Sequence, residues 1–174
     1  MHKTHHAALW QLKELDTQGV FCGYASVFDV VDGQRDVVKR GAFHDSIQQG
    51  TQGIKLLWQH AMHEPIGVIE ELKEDVRGLY VRGRLLLEVE RAREAYALLK
   101  SGAVTGLSIG YTPTRYRIDP DSGIRMISAI DLREISLVTF PANEQARVTV
   151  VKARDDGRRA FMAACRRAMG VLSL

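Results

Sequence analysis

Period-two alternation of apolar and polar residues dominates the first two thirds of the chain, and on a strand that spacing sends successive side chains to opposite faces. The segments VFCGYASVF, GIKLLWQH, PIGVIEEL and GLYVRGRLLL each predict a strand, with turns near Asp32-Gly33, from Gly50 to Gly53 and at Val76-Arg77-Gly78. Within this run ELKEDVRGLYVRGRL reads as a hairpin with a charged tip. The period changes between Glu88 and Ser101. VERAREAYALLKSG puts Val89, Ala92, Tyr96 and Leu99 on one helical face and ends in glycine, which predicts a short helix. GLSIGYTPTRYRI and IRMISAIDLREISLVTF then predict two further strands, joined at DPDSG and running to Pro141. From Asp155 to Leu172 the residues Phe161, Met162, Cys165, Ala168, Met169 and Leu172 gather on one side and most arginines on the other, so an amphipathic helix is expected. The fold class that follows is mainly β with helices (α+β): a mostly antiparallel curled sheet or barrel surrounded by helices.

Composition narrows the class without changing it. A chain of 174 residues that is 45% hydrophobic and 26% charged has the size and balance of one globular domain with a packed core. Neither a membrane-spanning run nor a signal peptide is supported, so a cytoplasmic protein is the expectation. Cys22 and Cys165 fit no CxxC spacing and read as two reduced thiols. The formal charge of +3 is unevenly spread. From Lys152 onward Lys152, Arg154, Arg158, Arg159, Arg166 and Arg167 face only Asp155 and Asp156, which leaves residues 1–151 slightly acidic. A body of that charge is not a nucleic-acid-binding surface.

Candidate chemistry concentrates in two stretches. LLWQHAMHEPIG sets His60, His63 and Glu64 within five positions. A zincin site needs two histidines one helical turn apart with the glutamate between them. Here the glutamate follows both histidines, proline comes next, the preceding IKLLWQ is strand-like and no histidine occurs after His63. Exposed loop histidines therefore weigh more than a metal site, and no metal or cofactor is expected. The second stretch, Gly106-Leu107-Ser108-Ile109-Gly110, matches G-x-S-x-G. The hydrolase elbow with that signature places its histidine last in the chain, an order unavailable here. On a strand Gly106, Ser108 and Gly110 share one face, and Leu107, Ile109 and Tyr111 the core face. A serine between two glycines then lies on an open patch where an extended substrate backbone can approach, the plainer alternative being a glycine-softened strand.

His60 would end a strand whose same-face neighbours are Trp58, Leu56 and Ile54, a setting more common for a satisfied core histidine than for a base. A serine becomes nucleophilic at neutral pH only beside such a base, and an acid must fix the base's tautomer. In IDLREISLVTF, Glu134 is a charge entering an apolar strand, with edge protection as its plain reading and Asp131 as its competitor.

Read together, these segments resemble the tailed-phage prohead (capsid maturation) protease family, serine peptidases that share the herpesvirus-protease-like (assemblin) fold. GYASVFDVVDGQRDVVKRGAF resembles the family's opening strand, acidic turn and GAF block, LLWQHAMHEPIGVIEELKEDVRGLYVRGRL its WQH–PIG segment and hairpin, GAVTGLSIGY its nucleophile strand and LREISLVTFPANEQARV its closing strand with the PAN turn. The resemblance runs from about Phe21 to Val148.

That resemblance implies Ser108 as nucleophile, His60 as general base and then acid, and Glu134 as orienting acid, with Asp131 still open as the third member. His63 and Glu64 become rim residues. Outside the family's pattern, residues 1–19 with His2, His5 and His6 read as an N-terminal leader on which no chemistry rests, ahead of a protease domain over 20–151, and the amphipathic, basic pattern gives a C-terminal helix over 152–174. The implied substrates are the major capsid protein and scaffold inside the immature capsid (prohead) in the host cytoplasm. Self-cleavage is implied as well, a homo-oligomer is compatible, and nucleic acid and membrane are not expected partners. The basic helix would dock on an acidic scaffold, be trimmed away, or simply cap the barrel. From a different class stands a catalytically silent capsid-assembly module with the same fold. A zinc metalloprotease comes third.

Overall fold

The computed structural model describes residues 18–151, so the leader, Cys165 and the helix expected from residue 152 lie outside the described residues. Eight strands, β1 (Val20–Val27), β2 (Asp36–Val38), β3 (Lys55–Trp58), β4 (Pro65–Glu74), β5 (Gly78–Leu85), β6 (Gly106–Ile118), β7 (Arg125–Val138) and β8 (Val148–Val151), alternate with two short helices, α1 (His44–Gln48) and α2 (Glu90–Ser101). They form one sheet in the order β2-β7-β3-β4-β5-β1-β8, with β6 also paired to β7. Backbone N–H groups of Leu107 and Val148 donate to Ala146 and Thr105 (both 2.9 Å), and that of Tyr24 to Arg147 (3.1 Å). The segment 146–148 thus ties β6 to β1 and curls the sheet back on itself, the mostly antiparallel curled sheet expected.

The alternation explains the inner face. Leu107, Ile135, Leu137, Leu56, Leu79 and Val81 are all fully buried in one cluster, joined by Ala92, Ala95 and Leu99 of α2. Each large apolar side chain so buried contributes about 1.5–3 kcal/mol. Helix α2 ends where the sequence ends it: Gly102 has φ +75°, and the N–H groups of Gly102 and Ala103 close on the carbonyls of Leu99 and Leu98. Val89 does not join its apolar face as expected, because it is the exposed residue that caps the helix start.

Two elements have no periodic signature. β2 has three residues and lies parallel to Arg125–Ile127 of β7. It is held there by the buried Asp36 carboxylate, which accepts from Arg125 Nε (2.7 Å) and from the Tyr111 hydroxyl (2.7 Å). Burial alone would raise the pKa of Asp36, but the guanidinium and phenol outweigh it and hold the carboxyl below the usual aspartate value. α1 is anchored from outside itself: Glu74 accepts from the N–H groups of Gly41 and Phe43 just before it, and Ser46 bonds both Ile130 O (2.9 Å) and Leu132 N–H (3.0 Å) on β7.

Strand β3 also lies parallel to β7, pairing Lys55–Trp58 with Glu134–Leu137. It stops two residues earlier than its alternation predicts. Gln59 and His60 both take left-handed backbone angles (φ +52° and +61°), so the chain turns out of the sheet after Trp58. This corrects the expected apolar surroundings of His60: it leaves the Trp58, Leu56, Ile54 face and sits on the sheet's outer side.

Candidate active site

β7 is an interior strand, flanked by β6 on one edge and by β2 and β3 on the other, so Glu134 is not an edge charge. It is 9% exposed and faces away from the core, next to Ser136 on the same face. A carboxylate this buried needs hydrogen-bond donors, because its desolvation is otherwise uncompensated. It has two. The ring of His60 meets it with Nδ1 2.6 Å from Oε1, and the Ser136 hydroxyl donates to Oε2 at 2.6 Å. Because a carboxylate only accepts, Nδ1 carries the proton and Nε2 is left with a lone pair. The bond to Glu134, reinforced by its charge, raises the pKa of His60 above 6.5 against the lowering effect of partial burial. The imidazole stays 44% exposed and so remains open to a reactant.

His60 reaches this position through the tight turn after β3. Two consecutive non-glycine residues in the left-handed region cost roughly 1–2 kcal/mol each. Their hydrogen bonds offset it. Gln59 N–H donates to Leu137 O (3.0 Å), the Gln59 side chain clasps Thr139 (2.9 and 3.2 Å), and His60 N–H donates to Ser136 Oγ (3.1 Å).

Ser108 comes from the neighbouring strand. In the β6–β7 register Ser108 is directly opposite Ser136 and Gly110 directly opposite Glu134. Directly paired residues point to one face, with Cβ atoms about 4.5–5.5 Å apart. Ser108 therefore shares the outer face with the His60–Glu134 pair, beside the hydroxyl that touches both members. Its own Oγ makes no hydrogen bond among the described residues. The expected open patch around it is corrected on two counts. Ser108 is only 7% exposed, and the space above Gly110 is filled: a Cβ there would come 2.2 Å from Glu134 Oε1. The glycine makes room for the acid rather than for a substrate.

The remaining candidates separate. Asp131 pairs with Arg133 (2.8 Å), across a register shift that leaves Arg133 between Leu132 and Glu134 without a partner on β6. Glu64 faces Arg91 on α2 (3.3 Å), and His63 is exposed. Among the described residues no group of three or more His, Cys, Asp and Glu is arranged to hold a metal ion. Sequence reasoning missed Ser136 and the role of Gly110. The available signal was that Ser136 lies two residues beyond Glu134, and hence on its face.

A family model described as caudovirus prohead serine protease matches residues 9–158. The chain is 40% identical over 142 residues to the prohead protease of Enterobacteria phage HK97, covering 79% of this chain and 62% of that protein. It is 38% identical over 170 residues to the capsid polyprotein of Pseudomonas phage PAJU2, covering 92% of this chain and 24% of that one. It thus spans less than two thirds of the length of either. Among solved structures it is similar to the bacteriophage T4 capsid assembly protease (TM-score 0.50, 13% identity, covering 68% of this chain and 81% of that one). The KSHV protease in complex with a hexapeptide phosphonate inhibitor shares the fold too (TM-score 0.52, 14% identity, 90% and 80% covered).

Proposed function

Since the chain belongs to the caudovirus prohead serine protease family, we propose that it is a serine endopeptidase acting in capsid maturation, with Ser108 as nucleophile, His60 as base and Glu134 as orienting acid. The observation that carries this reading is the 2.6 Å bond between His60 Nδ1 and Glu134 Oε1 on the same sheet face as Ser108. Ser108 Oγ bonds to the peptide carbonyl carbon while His60 Nε2 takes the hydroxyl proton. As the C–N bond breaks, that proton passes to the departing amine. Water then attacks the acyl-enzyme, His60 again accepting a proton and returning it to Oγ. Glu134 keeps its bond to Nδ1 and holds the imidazolium. The relative named a capsid polyprotein supports capsid protein as a substrate; scaffold and the chain itself, cut inside the immature shell in the host cytoplasm, complete the proposal. No helix among the described residues is long and apolar enough to cross a membrane.

A fluorophosphonate ester, which phosphonylates only activated serines, tests the assignment. Wild-type chain is expected to gain one adduct by intact mass and Ser108→Ala none. An unlabelled wild type would favour the catalytically silent assembly module.

The pH dependence follows from His60. Below its pKa the imidazolium cannot accept the serine proton, so kcat/KM should rise with pH through a midpoint above 6.5, the bond to Glu134 having raised it. Glu134→Gln removes the negative partner and should lower both the rate and the midpoint. A profile flat from pH 5 to 8 would rule out a histidine base.

A further inference from the structure

We infer that Ser136, a residue with no role in the chemistry of acyl transfer, is the positioning residue that sets both the place and the basicity of His60; this rests on His60 being the base proposed above. The side chain is fully buried on the outer face of β7. It donates its hydroxyl hydrogen to Glu134 Oε2 (2.6 Å) and accepts from the backbone N–H of His60 (3.1 Å). One hydroxyl therefore links the acid and the main chain of the base.

Each bond restrains a different freedom. Glu134 has two carboxylate oxygens and a rotatable side chain. Fixing Oε2 on its same-face neighbour Ser136 leaves Oε1 as the oxygen aimed at His60 Nδ1. The backbone bond works on the turn: His60 sits at φ +61°, directly after Gln59 at φ +52°, and its N–H has no other partner among the described residues. Without an acceptor there, the left-handed turn loses the contact that ties the His60 backbone to β7, and the ring at its end shifts with the main chain. Gln59 is held separately, through Leu137 O and Thr139. Ser136 is thus the link between the ring's carboxylate and the ring's own backbone. Because Ser108 is its cross-strand partner, the same residue also sets the spacing between the nucleophile's strand and the base.

Ser136→Ala deletes one oxygen and adds no bulk. It is expected to lower kcat by roughly 10²-fold, the scale of a small misplacement in a catalytic pair, with KM little changed. It should also move the pH midpoint of kcat/KM down toward 6.5, since a loosened Glu134 no longer raises the His60 pKa. Ser136→Thr keeps the hydroxyl and should retain the native midpoint even where its extra methyl lowers Tm. The decisive readout is independent of activity: the His60 ring is titrated by NMR in full-length chain carrying Ser108→Ala, with and without Ser136→Ala. A downward shift of the His60 midpoint on removing the hydroxyl supports the inference even if Ser108 proves not to be the nucleophile. A midpoint unmoved or moved upward, with only Tm reduced, overturns it and leaves Ser136 as a packing residue.

Discussion

Ser108→Ala is expected to stop self-trimming of the full chain, with the rate falling by about 10⁴-fold or more, the scale on which loss of a triad nucleophile acts. The size of the effect follows from what the substitution leaves alone. Ser108 Oγ makes no hydrogen bond among the described residues, so its removal does not disturb Ser136, the His60–Glu134 bond or the β6–β7 pairing. Only the proposed nucleophile is lost. Residual cleavage would come from binding and from whatever backbone donors stabilise the oxyanion, since those survive the change. The measurement is intact mass against time for wild type and variant, expressed alone and with the major capsid protein. Ser128→Ala is the control: it removes a hydroxyl of the β6–β7 hairpin bonded to Arg115 O (3.3 Å), and trimming should continue unchanged. Trimming of Ser108→Ala at the wild-type rate would place the nucleophile elsewhere.

The parts of this molecule that were legible in the sequence are those whose signal is local. The β4–β5 and β6–β7 hairpins follow from alternation and turn residues, and α2 from its period and Gly102. What was not legible depends on partners distant in sequence. β2 is a strand because Asp36 finds Arg125 and Tyr111, and α1 is a helix because Glu74 and β7 hold its ends; neither element has enough residues to show a period. The parallel pairing of β3 with β7 is equally silent, although it delivers the turn bearing His60 to Glu134. Strand regularity also misled. On a regular strand Asp131 and Glu134 face opposite ways, a parity argument that the register shift around Arg133 sets aside. The two carboxylates are told apart by their partners, Arg133 for one and His60 for the other. Ser136 was hidden because a serine in ISLVTF looks like any polar interruption of an apolar run.

Gly110→Ala should reproduce a large part of the loss caused by removing Glu134 itself, although Gly110 has no side chain to take part in the chemistry. A Cβ at this position would lie 2.2 Å from Glu134 Oε1 and 2.8 Å from its Cγ and Cδ, far inside van der Waals contact. Neither backbone has room to yield, because Gly110 and Glu134 are paired in the β6–β7 ladder and Glu134 is paired on its other side with Lys55 of β3. The carboxylate must rotate, and the bond it gives up is the one to His60 Nδ1. Loss of the orienting acid in a triad costs about 10⁴-fold in kcat, so a fall of 10²–10⁴-fold in kcat is expected, together with a lowered His60 midpoint. Gly53→Ala, where nothing lies within 4 Å of the added carbon, should leave kcat unchanged. A double-mutant cycle decides the cause. If Gly110 acts only by making room for the acid, Gly110→Ala/Glu134→Ala should be no slower than Glu134→Ala alone, since the methyl then has no carboxylate to displace. Two losses that multiply would mean the methyl disturbs Ser108 along β6 instead, and the glycine would belong to the nucleophile's strand rather than to the acid.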